Sequence, residues 1–166
     1  MANKNVVITG ANSGIGFQVA LQLASQGANI IMACRSLDNA KRAQHELLAK
    51  VPGANIRILT VDVSEPESIA AFAQQFEKQV GSLDILINNA GIVTPNLSHN
   101  SAGYELHLAT NYLGTFALTG LLLPFFSKDE HTRIVNVGSV AHRFDKFDFD
   151  DMGWQKGKFI YWKAYA

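Results

Sequence analysis

The stretch "VVITGANSGIG" sets Gly10, Gly14 and Gly16 directly after a short β-branched run and at the mouth of a segment of helical period. Glycines there let the backbone turn tightly and let a phosphate approach amide N–H groups at a helix N-terminus, where the dipole favours negative charge. The spacing is GxxxGxG rather than GxGxxG, and it lacks the Lys-Ser/Thr of a P-loop. The same glycines could serve only a turn that needs positive φ. Their position at the first strand–helix junction favours a dinucleotide pyrophosphate.

Nucleotide choice belongs to the end of the second strand, where an acid would hold ribose hydroxyls. Here "IIMACRS" puts Cys34, Arg35 and Ser36. Arginine pairs with a 2′-phosphate in a bidentate way, so the chemistry favours NADP over NAD. Arg35 could also be a solvated loop cation, while Asp38 suits the first turn of the following helix. Ser139 is no hydrolase nucleophile, since "VGSVA" lacks the second glycine of a GxSxG elbow. The five histidines show no paired ligand spacing, so no metal is expected.

The elements that must position these residues alternate. Val6 to Thr9, Ile30 to Ala33, Ile56 to Val61, Leu83 to Asn88 and Arg133 to Val137 read as strands, apolar throughout as in a parallel sheet covered on both faces. Helices fall between them. Gly14 to Ser25 carries Ile15, Val19 and Leu23 on one side, and Leu37 to Lys50 carries Ala40, Leu47 and Leu48. Ser64 and Glu67 suggest a capping box before Ile69, Phe72, Phe76 and Val80. From about Ala102 to Ser127, Tyr104, Leu108, Tyr112 and Phe116 recur at four-residue steps, which predicts a deeply buried helix. The fold class is α/β: a doubly wound, Rossmann-type parallel sheet of about five strands. Gly138 to Tyr165 shows no clean period.

The bulk properties exclude several function classes. Fourteen basic and fourteen acidic residues cancel, so no overall field holds nucleic acid or an anionic membrane. The tail's aromatics lie among Asp145, Asp148, Asp150 and Asp151, which also argues against a nucleic-acid surface. One cysteine, Cys34, forms no intramolecular disulfide and fits a reducing, cytoplasmic setting. "MANKNVVITG" lacks the apolar core of a signal peptide, which makes the Asn96-Leu97-Ser98 sequon a chance match. The apolar run from Phe116 to Phe126 falls short of the ~20 residues of a membrane span.

Four stretches narrow the reading: "TGANSGIG", "NNAG" at Asn88 to Gly91, "TNYLG" around Asn111 and "VNVGSVAH" around Ser139. In this order they resemble the short-chain dehydrogenase/reductase family. "ACRS", "VDVS" and the tail from His142 to Phe159 are similar to its retinol-dehydrogenase-like branch, whose members commonly use NADP. The resemblance implies that Gly10, Ser13, Gly14, Ile15 and Gly16 surround the pyrophosphate, with Arg35 and Ser36 at the adenosine phosphate. It places Asp62 and Val63 at the adenine edge, and Asn89, Ala90 and Gly91 along the ribose and nicotinamide side. Asn111, Ser139 and Tyr165 are implied as catalytic residues for hydride transfer between the nicotinamide and a small-molecule carbonyl or alcohol substrate.

Residues 1–138 are then the dinucleotide-binding part, and residues 139–166 an incomplete catalytic segment of the same domain. The family's fourth catalytic residue is a lysine four positions after the tyrosine, but the sequence ends one residue after Tyr165. Truncation within the YxxxK motif is therefore expected, with weak activity or none in this form. The family continues into helices that commonly form homo-oligomers. A non-catalytic nucleotide-binding or scaffolding module is the alternative. A methyltransferase would have no role for the paired asparagines of "NNAG" or for Ser139 and Tyr165.

Overall fold

The computed structural model describes residues 1–166 except 129–130, 145–147 and 157, so Asp145 of the acidic tail lies outside the described residues. Strands β1 (Asn5–Thr9), β2 (Asn29–Cys34), β3 (Ile56–Thr60), β4 (Ile85–Asn88) and β5 (Arg133–Asn136) form one sheet. Its order is β3-β2-β1-β4-β5, all parallel. The doubly wound arrangement is thus present, and its connections reverse direction between β1 and β4.

Both faces are covered over β1, β2 and β4, which explains their unbroken apolar runs, whereas the run at β5 is uncovered, contrary to the sequence expectation. Val6 and Ile8 of β1 face one layer with Ile30, Met32 and Leu47, against α1 (Gly14–Ser25) and α2 (Leu37–Lys50). Val7 points the other way into a layer with Ile31, Leu86, Phe72 and Phe76, the last two on α3 (Pro66–Gln79). Leu118 and Leu122 of α4 (Thr115–Leu122) close that second layer.

Several local expectations are corrected. In α1 the buried face is Gly16, Phe17, Ala20 and Ala24, while Ile15 is 65% exposed. The capping box does not form: Glu65 is the N-cap of α3 and Pro66 its first residue, whereas the Ser64 hydroxyl donates to Asp62 Oδ1 at 2.6 Å. Proline's fixed φ starts the helix without a side-chain cap. The row Tyr104, Tyr112 and Phe116 is exposed rather than buried. A π-helical segment, Leu108–Gly114, precedes α4, and the wider turn brings Ala109, Thr110 and Gly114 inward instead. Gly114 packs so closely on the chain after β3 that an added Cβ would lie 1.6 Å from the Val63 carbonyl oxygen.

Taken with a 3₁₀ turn at Leu123–Phe125, the helical stretch Leu108–Phe125 is long and apolar enough to cross a membrane by length and composition alone. It exceeds the apolar run that the sequence suggests, because the π-helical segment joins α4 without a break. Its inner side packs on the sheet, so the length criterion carries little weight. Beyond β4 every residue of β5 is exposed, as expected of a strand at the sheet's edge.

The N-terminal ends of the central strands are tied by one carboxylate. Asp84 accepts from the Asn5 amide (2.8 Å), Lys4 Nζ (3.1 Å) and the Ser127 hydroxyl (3.1 Å), and its carbonyl accepts from the Arg133 amide (3.0 Å). Burial raises its pKa, but the Asn5 amide and then Lys4 and Ser127 outweigh that and hold it below its ordinary 3.8. A depressed folded-state pKa stabilises the fold above the unfolded value, and this contribution is lost as pH falls through the folded value. Asp84→Asn should therefore lower stability at neutral pH by about 1–3 kcal/mol and flatten the acid limb of the stability profile below pH ~4. Urea denaturation across that pH range checks both.

Candidate active site

At the C-terminal edge of the sheet two cavities adjoin. One, of about 520 Å³, lies over the glycine loop and is lined by Gly10, Ser13, Arg35, Asp62 and Val63, with Asn12 among them. The other, of about 640 Å³, is lined by Asn111, Ser139, His142, Tyr165 and Phe116. Asn89 to Val93 line both, so this segment is the shared wall. The predicted Asn89, Ala90 and Gly91 all belong to it. Gly14, Ile15 and Gly16 instead form the first turn of α1 beside the first cavity.

Backbone needs account for the loop's composition. Gly10 and Gly14 have φ of +66° and +54°, in the left-handed region that favours glycine. At Gly16 a Cβ would lie 2.5 Å from both the Gly10 carbonyl oxygen and Asn89 Nδ2, so only glycine fits. The Asn89 side chain explains that crowding, because it donates to the Thr9 carbonyl at 2.9 Å. Asn89 holds the loop from below while its backbone lines the cavities. Thr9, which the sequence reading missed, accepts from the Asn89 and Ala90 amides at 2.9 Å each. A buried threonine at the end of the first strand is the sequence signal that could have found it.

At the far end of the first cavity, the Arg35 guanidinium stands 3.8 Å from an Asp62 carboxylate oxygen, with its side chain 74% exposed. The cation is thus solvated but aimed along the cleft. Ser36 is not brought to the cavity wall: its hydroxyl accepts from the Asn39 amide at 3.3 Å as the N-cap of α2. Cys34 beneath them is buried, and desolvation pushes its thiol up to about 11 although the Ala11 and Asn12 amides pull it down. The end of β2 therefore carries no negative charge to repel a phosphate.

The second cavity gathers all three predicted catalytic residues. Asn111 lies in the π-helical segment, where Oδ1 accepts from the Ile92 amide (2.9 Å) and Nδ2 donates to the Ile92 carbonyl (3.1 Å). Both amide groups thus clamp the shared wall. Ser139 caps the 3₁₀ turn Val140–Arg143, and its Oγ accepts from the Ala141 amide at 3.2 Å, which leaves its O–H to donate. His142, also unforeseen, is bonded through Nδ1 to the Ser139 carbonyl at 2.7 Å. Tyr165 ends α5 (Tyr161–Tyr165) and borders the same space. Among the described residues no group of acids, cysteines and histidines could hold a metal ion.

The family model of the short chain dehydrogenases matches residues 4–148. The chain belongs to that family. Retinol dehydrogenase 12 of Bos taurus is 42% identical over 149 residues, covering 90% of this chain and 47% of that protein. This short-chain dehydrogenase thus spans about half the length of the curated relatives it matches. The crystal structure of an uncharacterized protein from Mycobacterium Paratuberculosis superposes with a TM-score of 0.85 at 36% identity, over 99% of this chain and 56% of that one. L-Sorbose reductase from Gluconobacter frateurii, complexed with NADPH and L-sorbose, gives 0.65 at 29% identity over 75% of this chain and 48% of that one.

Because the Gly10 backbone as well as the Asn89 side chain opposes a Cβ at Gly16, Gly16→Ala must shift the glycine loop or the first turn of α1. Overpacking of this kind costs about 1–3 kcal/mol, to be read by chemical denaturation of the variant against the parent chain.

Proposed function

We propose that this short-chain dehydrogenase is an NADP-dependent oxidoreductase that interconverts a carbonyl and an alcohol. The observation that carries the reading is the shared wall Asn89 to Val93, which joins the glycine-loop cavity to the one bordered by Asn111, Ser139 and Tyr165. The residues present fit a dinucleotide phosphate. Nothing stands within 4 Å of where a Cβ on Gly14 would project, which leaves room over the N-terminus of α1 for a pyrophosphate. Arg35 at the other end offers a fork for a 2′-phosphate. The NADPH complex of L-sorbose reductase supports the same choice of cofactor.

The bound nicotinamide supplies the hydride. In reduction, the Ser139 hydroxyl donates a hydrogen bond to the carbonyl oxygen and Tyr165 Oη delivers the proton to it as charge develops. Asn111 fixes the wall between cofactor and substrate through Ile92. Phe116 and Tyr112, exposed on the cavity's rim, give it an apolar side suited to a largely apolar substrate. We place the protein in the cytoplasm on the grounds of its single thiol.

A tyrosine of pKa ~10 must fall by about three units to exchange protons near neutrality, and a lysine ~4 Å away contributes an effect of about that size. A polypeptide that stops at Ala166 offers Tyr165 no lysine four residues on, so for it we propose cofactor binding with weak turnover. Appending three residues that end in lysine should raise the rate; an unchanged rate would refute this point.

Turnover is followed by loss of nicotinamide absorbance with an aldehyde, and affinity by NADPH fluorescence. In the chain extended to that lysine, Tyr165→Phe should lower kcat by about 10²–10⁴-fold and Ser139→Ala by about 10²–10³-fold, with NADPH affinity changed less than about twofold. Arg35→Ala should weaken NADPH by ~10-fold or more while leaving NADH unchanged. Tighter binding of NADH than of NADPH by the parent chain would remove the NADP assignment.

A further inference from the structure

His107 is 1% exposed, and its imidazole reaches three separate parts of the molecule. Nδ1 bonds Glu105 Oε1 at 2.7 Å, and Nε2 lies 3.0 Å from the Thr94 amide. An amide can only donate, so Nε2 is the acceptor and Nδ1 carries the proton toward the carboxylate. Glu105, equally buried, is fixed in turn by the Leu108 amide at 2.9 Å. The ring is therefore locked in position and tautomer. Its open sides meet Phe159, stacked at 6.2 Å, and Tyr165, edge-on at 6.2 Å and 63°.

A buried acid–imidazole pair is often no more stabilising than apolar side chains of the same volume, and the placement of this one points to a further role. No residue of α5 is buried, so this single helical turn does not anchor Tyr165 in a core. Thr94, at the other end of the imidazole, lines the glycine-loop cavity. One rigid ring thus spans from the cofactor side of the cleft to the tyrosine.

We propose that the Glu105–His107 pair is a positioning device for Tyr165, with the His107 ring setting the phenol's place in the cavity and Glu105 setting the ring. This rests on the reading of Tyr165 as the proton donor. An edge-to-face contact favours one orientation of the phenol, and a reacting group misplaced by ~1 Å loses about 10²-fold in rate.

The test is His107→Gln, whose amide can accept from Thr94 and donate to Glu105 but presents no ring. With 3-fluorotyrosine placed at position 165 alone, its ¹⁹F resonance should shift or broaden in H107Q. In the same variant, made in the chain extended by three residues ending in lysine, kcat with NADPH and an aldehyde should fall by about 10- to 100-fold, while NADPH affinity stays within about twofold. An unmoved ¹⁹F resonance would overturn the proposal. Should H107Q fail to fold, Phe159→Leu, which loosens the ring cluster from the opposite side, carries the same expectation: a moved resonance supports the proposal and an unmoved one refutes it. Tyr165→Phe separates the two readings. If it keeps full turnover, the proton-donor role fails, whereas the ¹⁹F result still decides whether His107 places the ring.

Discussion

The Thr9 hydroxyl at the end of β1 accepts the amides of Asn89 and Ala90 beyond β4, and this small junction governs the whole upper edge of the sheet. The connections reverse between these two strands, so a crevice opens above them where an α/β sheet binds its ligands. Without the junction, the chain leaving β4 would have no reason to follow the glycine loop. With it, Asn89 braces the loop, Asn111 clamps Ile92, and one short segment becomes the wall of two cavities.

The two ends of the sheet divide the work. At the N-terminal edge Asp84 collects Lys4, Asn5 and Ser127 into a charged tie that serves stability. At the C-terminal edge, polar groups are spent on backbone amides and carbonyls that shape a cleft, and Ser139 retains a hydroxyl to donate. Burial keeps the Cys34 thiol protonated beneath Arg35, so the end of β2 adds no negative charge, and the charge beside the cation is the Asp62 carboxylate at 3.8 Å.

Much of this was legible in the sequence because it follows from short-range physics. Five apolar runs became five parallel strands of one doubly wound sheet, and the glycines of "TGANSGIG" proved to be where φ or close approach requires them. Asn111, Ser139 and Tyr165 fall on one cavity although 54 positions separate the first from the last. What the sequence hid depends on tertiary packing. The aromatic row of Tyr104, Tyr112 and Phe116 looked like a core stripe, but Tyr104 precedes the helix and the π-helical segment turns Ala109, Thr110 and Gly114 inward in place of Tyr112. Ser36 looked like a phosphate ligand, but it lies outside the cavity lining, where its hydroxyl accepts from the start of α2. The His107 ring gave no signal at all, since its partners Thr94, Phe159 and Tyr165 meet only in the folded chain.

The central claim is that both cavities form one dinucleotide site, with adenosine phosphate at Arg35 and nicotinamide between Asn111 and Tyr165. Amide chemical shifts of the isotope-labelled chain, titrated with NADPH, test it most directly. The account predicts that Ser13, Arg35, Val63, Ile92 and Ser139 move together along one saturable curve, while Asn29 and Asn55 at the opposite edge stay still. Shifts confined to either cavity alone, or to the Asn29 and Asn55 edge, would contradict it.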